Sequence, residues 1–498
     1  MTTKRLIATL FLTFSNVTLV AVAAAPATGD SSNLPPSQAA PVAFSESSIK
    51  LPRYGDVAIY RPAGEPKSIV IFLSGDGGWH LGVVDMARRF AGEGALVAGF
   101  DVRRYLASLR PAGDAADTAC ANTAADMEAL SQLLQRSLKL DVYRHPFLVG
   151  YSSGATVVYA ALAQAPRGTF AGVFSFGFCA DQDFSGAKLC RVNGLDYTLP
   201  TAAKPDDHSL ILKPDSRLRD PWVAVQGERD QVCDAGNARE FTQQVSGSQL
   251  LSLPQVGHGF AVTRSWWPQV RTVYQNLVTA SAPQKSTDAD VSDLPIYETR
   301  ASGTASPRIA ILLTGDGGWA GLDQDIAADL AGRGIATAAL SSVRYFWQVR
   351  TPEESAKDVT RMVEHYLLSW NGERVLLIGY SFGADVLPFV YNRLPDELRS
   401  RIDSVSLLGF SSSADFEMKV AGWLPGSRNS GVATLPEVQK LAAVPTLCVR
   451  GDNEADSACG SVSGTNARTV RIGSGHHFSG KTHDIVDAIV ATANSSRP

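Results

Sequence analysis

Two serines stand in the setting that a catalytic nucleophile needs. Ser152 lies in Gly150-Tyr151-Ser152-Ser153-Gly154, and Ser381 in Gly379-Tyr380-Ser381-Phe382-Gly383. In a Gly-x-Ser-x-Gly segment the serine occupies a tight turn from a strand into a helix, which projects its hydroxyl. The glycines let neighbouring backbones pass without side-chain clash. Each serine follows a short apolar run, Phe147-Leu148-Val149 or Val375-Leu376-Leu377-Ile378, as such a turn requires. An acid comes next in each copy: Asp230 after Gly227, and Glu454 after Gly451, with Asp456 as an alternative to Glu454. A Gly-His pair closes each copy. Aligning Gly257-His258-Gly259-Phe260 with Gly475-His476-His477-Phe478 selects His476 over His477 as the partner of His258. These residue types in this order suit acyl transfer: the histidine takes the serine proton, and the acid orients the imidazole and stabilises its cation.

Upstream of each serine, Gly75-Asp76-Gly77-Gly78-Trp79 recurs as Gly315-Asp316-Gly317-Gly318-Trp319. Flexible glycines after a strand can aim backbone N–H groups at a developing oxyanion. The candidate donors are the N–H groups of Asp316 and Phe382 in the second copy, and of Asp76 and Ser153 in the first. A tight turn that packs its tryptophan on the core is the competing reading. Asp385 follows Ser381 by one helical turn, where the first copy has Thr156. With Asp316 it makes the second pocket attractive to a cationic substrate; the competing reading is an ordinary solvent-facing acid early in a helix.

The elements that must hold these residues are also repeated. The offset between copies falls from 240 (315 − 75) to 229 at the serine, 224 at the acid and 218 at the histidine. The order is kept and the second copy is shorter, which is the signature of a duplicated unit. Apolar strand-like runs alternate with helical ones in both halves. In the second half, strands are predicted at 309–314, 336–340, 374–379, 404–409 and 446–450, with helices at 322–333 and 353–369. In the first half, strands are predicted at 68–74, 96–100, 146–150, 171–176 and 222–226, with a helix at 117–138. This pattern predicts an α/β fold: two tandem hydrolase-like domains, each a mostly parallel sheet covered by helices on both faces.

The 498 residues suffice for two such domains, and 45% hydrophobic with 19% charged residues is ordinary globular composition. A net charge of −4 without a long basic run gives no footprint for nucleic acid. Lys4 and Arg5, an apolar Leu6–Val22 stretch and the small residues to Ala25 read as a cleaved secretory signal over 1–24, cut after Ala23 or Ala24. An Ala/Pro/Ser/Gly-rich lead-in (25–45) precedes the first domain (46–280). A linker (281–292) and the second domain (293–498) follow. The expected location is the periplasm. Six cysteines suit that oxidising compartment. Cys448 and Cys459 can pair only with each other within their domain, while Cys120, Cys179, Cys190 and Cys233 leave three pairings open. No Cys-x-x-Cys pair supports a metal site, and no metal or organic cofactor is expected. Gly475–Thr482 fits a P-loop pattern, but too little chain follows it to complete a nucleotide domain. Trp266-Trp267 reads as a packed aromatic pair, with membrane contact as the alternative.

The paired Gly-Asp-Gly-Gly-Trp loops resemble the AcvB/VirJ family of bacterial virulence proteins. So do Gly379-Tyr-Ser-Phe-Gly-Ala-Asp385, Arg344-Tyr-Phe-Trp347 and Arg350-Thr-Pro-Glu353. The resemblance spans most of the chain, signal included, and the tandem halves resemble the two-unit AcvB members. The first half departs from it, since Ser153-Gly154-Ala155-Thr156 lacks both the Phe and the Asp. The resemblance implies an α/β-hydrolase fold and periplasmic hydrolysis of lysyl-phosphatidylglycerol by Ser381 with His476 as base. The substrate would be an aminoacylated phospholipid at a membrane surface. The resemblance also implies a link to virulence and export, hence periplasmic protein partners. Two other readings stay open: a general periplasmic esterase or peptidase of this fold, and a non-catalytic binding or chaperone-like protein linked to export.

Overall fold

The computed structural model describes residues 41–80, 82–109, 120–200, 209–218, 220–281, 291–319, 321–418, 431–441, 443–454, 456–462 and 467–495. The signal segment, most of the lead-in and most of the linker lie outside them. The chain divides into two compact units. The first takes in the described residues up to Met127, His145–Ala165 and Phe170–Ala280; the second takes in Glu128–Arg144, Pro166–Thr169 and the chain from Ser281.

In the first unit the strands are β1 (Phe44–Leu51), β2 (Gly55–Pro62), β3 (Ser68–Leu73), β4 (Ala95–Phe100), β5 (Phe147–Tyr151) and β6 (Gly172–Phe176). An excursion forms β7 (Asp181–Asp183), β8 (Tyr197–Thr198) and β9 (Ser209–Leu212), before β10 (Trp222–Gly227) and β11 (Ser248–Leu253). The main sheet runs β1-β2-β4-β3-β5-β6-β10-β11, and β7-β9-β8 form a small sheet of their own. From β4 to β11 all neighbours are parallel, while β1 and β2 pair antiparallel at one edge. β3 and β10 are buried at every residue, as central strands with both faces covered must be. The helix Ser153–Gln164 is buried along its whole length behind the sheet, so its Ala/Val/Leu sequence is apolar on all sides.

The second unit repeats the plan with β12 (Ile296–Thr299), β13 (Arg308–Leu313), β14 (Ala336–Leu340), β15 (Arg374–Tyr380), β16 (Ile402–Leu408), the short pair β17 (Ser413–Ala414) and β18 (Val432–Ala433), β19 (Thr446–Asp452) and β20 (Ala467–Ser474). Its main sheet runs β12-β14-β13-β15-β16-β19-β20. Strand for strand this is the order β2-β4-β3-β5-β6-β10-β11 of the first unit. Both units are α/β-hydrolase-like domains, as the alternating pattern predicts. In each, strand order reverses beside β3 or β13. The crevice at the carboxyl ends of β3 and β5, or of β13 and β15, is where open α/β sheets bind ligands.

One expectation changes, and one is borne out. The helix predicted from residue 117 begins at Thr123. Asn122 accepts the Ala125 N–H, and Cys120 is tied to Cys190, so residues 120–122 are held outside the helix; residues 117–119 lie outside the described residues. Trp266 is buried with its indole N–H on the Phe260 carbonyl, and Trp267 packs edge-on against Phe90. Trp266 is thus core and Trp267 is packed against it, as the packed-pair reading expects. The open cysteine pairings resolve as Cys120–Cys190 and Cys179–Cys233, beside Cys448–Cys459. Three disulfides fit an oxidising compartment. Among the described residues no helix is long and apolar enough to cross a membrane.

Candidate active site

In the second unit Ser381 sits between β15 and the helix Phe382–Tyr391 with φ +51°, a backbone region costly for an L-residue. The surroundings impose that turn. A β-carbon on Gly379 would lie 2.5 Å from the Gly383 carbonyl oxygen, and one on Gly383 would lie 2.1 Å from that of Leu313. Both glycines of the motif are therefore required by space. The Ser381 N–H donates to the Leu408 carbonyl, which ties the elbow to β16.

Ser381 Oγ lies 2.7 Å from His476 Nε2, and His476 Nδ1 lies 2.5 Å from Glu454 Oε1. The other Glu454 oxygen accepts the Gly451 N–H at 2.9 Å. Burial opposes ionisation of Glu454, but the hydrogen bonds from His476 and Gly451 outweigh it and hold the carboxyl below the usual range. Burial likewise disfavours the His476 cation. The Glu454 bond and the charges of Glu454, Asp316 and Asp385 more than offset it and raise the imidazole pKa. His477 turns elsewhere and meets the Tyr380 hydroxyl at 2.9 Å. Asp456 is exposed on the same loop, and it is Glu454 whose carboxylate reaches His476. The segment that fits a P-loop pattern is thus the turn between β20 and the last helix that carries His476.

The first unit assembles the same constellation. Ser152 has φ +53°, its Oγ is 3.0 Å from His258 Nε2, and His258 Nδ1 is 2.8 Å from Asp230 Oδ2. Asp230 Oδ1 accepts the N–H groups of Val232 and Cys233, both at 2.9 Å. Each acid loop is tied by a disulfide: Cys233 beside Asp230 to Cys179, and Cys448 to Cys459 on either side of Glu454. The two imidazoles differ in access, since the His476 side chain is 43% exposed and that of His258 17%.

The Gly-Asp-Gly-Gly-Trp loops follow β3 and β13 and close on themselves, Gly78 N–H to Gly75 O and Gly318 N–H to Gly315 O. The tryptophans of both loops pack as the competing reading has it. Trp79 packs on Gly99 and Phe72, and Trp319 stacks on Tyr297. This fixes the loops beside the elbow: a β-carbon on Gly75 would lie 3.0 Å from Ser152 Cβ, and one on Gly315 3.5 Å from Ser381 Cβ. The loops that carry Asp76 and Asp316 therefore lie beside Ser152 and Ser381, which Ser153 and Phe382 follow directly in the chain. Phe382 in turn packs on Phe346 at 5.0 Å, which gives the Arg344–Trp347 segment a role in shaping this wall.

Asp385 accepts from Ser411 twice, from its N–H at 2.7 Å and its hydroxyl at 2.5 Å, and so holds the loop that leaves β16. Burial pushes its pKa up to about 7, against the Ser411 bonds and the His476 charge and with help from Asp316. It is neither a free surface acid nor an uncommitted substrate ligand, and its charge is felt at the base. Sequence reasoning missed two glycines, Gly177 and Gly409. They end β6 and β16 at positive φ with the imidazoles of His258 and His476 against them. The Gly-Phe pair repeated after both strands was the available signal. It also missed Asp323, which is 2% exposed, takes a backbone hydrogen bond from Gly315 and is driven well above the carboxylate range by burial.

A family model described as bacterial virulence protein (VirJ) matches residues 67–181 and 307–497, well over half of the chain. No curated protein matches. Solved structures similar to this chain include a dienelactone hydrolase from Klebsiella pneumoniae (16% identity, 49% of this chain and 100% of that one, TM-score 0.33). Others are the esterase domain of a Rhodothermus marinus protein (16%, 48% and 98%, TM-score 0.31) and a CIB-like hydrolase from Thermoplasma acidophilum (16%, 48% and 99%, TM-score 0.29).

Proposed function

Because the chain belongs to the VirJ family of bacterial virulence proteins, we propose that its second unit is a periplasmic serine esterase acting on lysyl-phosphatidylglycerol. The observation that carries the esterase reading is the chain of contacts Ser381–His476–Glu454 on a strained elbow. Ser381 Oγ attacks the lysyl carbonyl and its proton passes to His476 Nε2. Glu454 stabilises the imidazolium through Nδ1. The N–H groups of Asp316 and Phe382 receive the oxyanion. The lipid hydroxyl leaves with the proton from His476. A water molecule, deprotonated by the same imidazole, then releases lysine from Ser381 and leaves phosphatidylglycerol in the membrane. No cofactor takes part.

The lysyl specificity is supported by charge: Asp316 and Asp385 both act on His476, so an arriving ammonium meets a negative site. The 43% exposed base suits a headgroup presented at a membrane surface. The three disulfides and the signal-like N-terminus support the periplasm as the compartment, where partners in export would meet the protein.

The test is release of free lysine from vesicles of lysyl-phosphatidylglycerol in phosphatidylglycerol, by the full chain and by Ser381→Ala. The expected result is release by wild type and a fall of about 10³-fold or more in the variant. No release by wild type, with turnover of simple esters intact, would leave a general esterase. Virulence-linked function that survives Ser381→Ala would leave the binding-protein reading.

A further inference from the structure

We infer that the first unit is a second hydrolytic centre, acting on esters of neutral acyl groups. Its machinery is complete. Ser152, His258 and Asp230 are connected at 3.0 and 2.8 Å, and the Asp230 oxygens are further held by Val232, Cys233 and Gln226. The nucleophile is strained to φ +53° like its counterpart, at +51°. A β-carbon on Gly150 would lie 2.1 Å from the Gly154 carbonyl oxygen, and one on Gly154 2.5 Å from that of Leu73. Those substitutions would be excluded here as in the second unit. A strained serine and two sterically obligatory glycines are costly features for a unit that only binds or supports. The family match in this half ends at residue 181, before Asp230 and His258.

What differs is the charge around the nucleophile. Asp385 is replaced by Thr156, whose hydroxyl donates to the Cys179 carbonyl at 2.7 Å. The apolar Phe382 is replaced by Ser153, and Ser153 Oγ donates to the loop carboxylate of Asp76 at 2.6 Å. A β-carbon on Gly78 would meet both the Arg103 guanidinium and the Asp101 carboxylate, an ion pair closed at 2.6 Å, where the second unit has the uncharged, buried Val343 and Ser341. Of the two acids whose charge reaches His476 besides Glu454, Asp385 has no counterpart here, and Asp76, the counterpart of Asp316, is bonded to Ser153 beside the Asp101–Arg103 ion pair. A cationic acyl group gains nothing in such a site, while a neutral one loses nothing.

The step is ordinary acyl transfer. Ser152 Oγ bonds to the ester carbonyl carbon as its proton goes to His258 Nε2. The C–O bond of the leaving alcohol then breaks, and the alkoxide takes that proton. Water gives a proton to His258, attacks the acyl-serine and releases the carboxylic acid, and Ser152 recovers the proton.

The experiment uses the full chain with two p-nitrophenyl esters that share a leaving group, hexanoate (neutral) and 6-aminohexanoate (cationic). Ser381→Ala should still hydrolyse the hexanoate. Adding Ser152→Ala should lower that residual rate by about 10³-fold or more. In Ser381→Ala the hexanoate should be preferred over the aminohexanoate by about tenfold or more in kcat/KM. Independently of any variant, a fluorophosphonate should form an adduct on Ser152 of the wild-type chain, read by peptide mass spectrometry. Residual turnover no greater than that of the double variant, or no adduct on Ser152, overturns the second centre. Equal or better turnover of the cationic ester by Ser381→Ala overturns the substrate class.

Discussion

Gly409 sits directly behind His476: a β-carbon on it would lie 2.7 Å from the imidazole Cε1. Gly177 stands in the same relation to His258, at 3.1 Å. Each glycine is where the strand after the nucleophile ends and the chain turns at positive φ, +64° and +61°. Each imidazole is thus positioned by a surface of bare backbone as well as by the carboxylate it bonds. Gly409→Ala should shift the ring and strain the turn. Left-handed backbone costs an alanine about 1–2 kcal/mol, and a misplacement near 1 Å costs on the order of 10²-fold in rate. The expected outcome is a fall of about 10²-fold in kcat/KM for a lysyl ester, with a melting temperature lower by only a few degrees. Steady-state kinetics beside a thermal melt would check it. An activity loss of the same small size as the stability loss would mean the ring tolerates the methyl.

Glu454→Gln should act on the pH profile as well as on rate. The carboxylate favours the charged imidazole, so the His476 pKa is raised. The base works only when neutral, hence activity rises with pH through that raised value. Removing the charge lowers the His476 pKa and moves the acid limb of the kcat/KM profile to lower pH. Glutamine also fails to select the tautomer with the proton on Nδ1, which costs on the order of 10⁴-fold at the plateau. A profile of Glu454→Gln from pH 5 to 9 with an unmoved acid limb would show that another group sets it.

Much of this site was legible because its constraints are local. Gly379 and Gly383 are demanded by a turn that only glycine fits, and the apolar runs before Ser152 and Ser381 are buried central strands. β14 falls on its predicted residues because Ala336–Leu340, apolar but for Thr337, is buried throughout. The edges were not legible. β20 carries Arg468 and Arg471 and is largely solvent-facing, and β11 is half-buried, so neither shows the continuous apolar run of a covered strand. β1 alternates half-buried and exposed residues in a segment with the composition of a lead-in. Gly409 and the Ser411 grip on Asp385 are contacts between segments far apart in sequence, as is the choice among four cysteines, and spacing carries no information about them.

Asp385 should reveal itself through stability as a function of pH. Its folded pKa is raised to about 7, chiefly by burial, against roughly 3.9 for a free aspartate. Between those values the folded protein holds a proton that the unfolded chain has lost. The contribution to stability is complete below the lower value, declines by about 1.4 kcal/mol per pH unit between them and is lost above pH 7. Asparagine can keep both Ser411 contacts, accepting the N–H through its oxygen and donating to the hydroxyl through its amide. It has no charge to bury. Denaturant melts of wild type and Asp385→Asn should therefore diverge as pH rises from 4 to 7, with the variant gaining on the order of a few kcal/mol relative to wild type before the difference levels off. A constant difference across that range would mean Asp385 is ionised in the folded protein throughout. The same substitution tests the charge of the pocket: turnover of a cationic ester relative to its neutral analogue should fall several-fold in Asp385→Asn, most clearly above pH 7, where the wild-type carboxylate is charged.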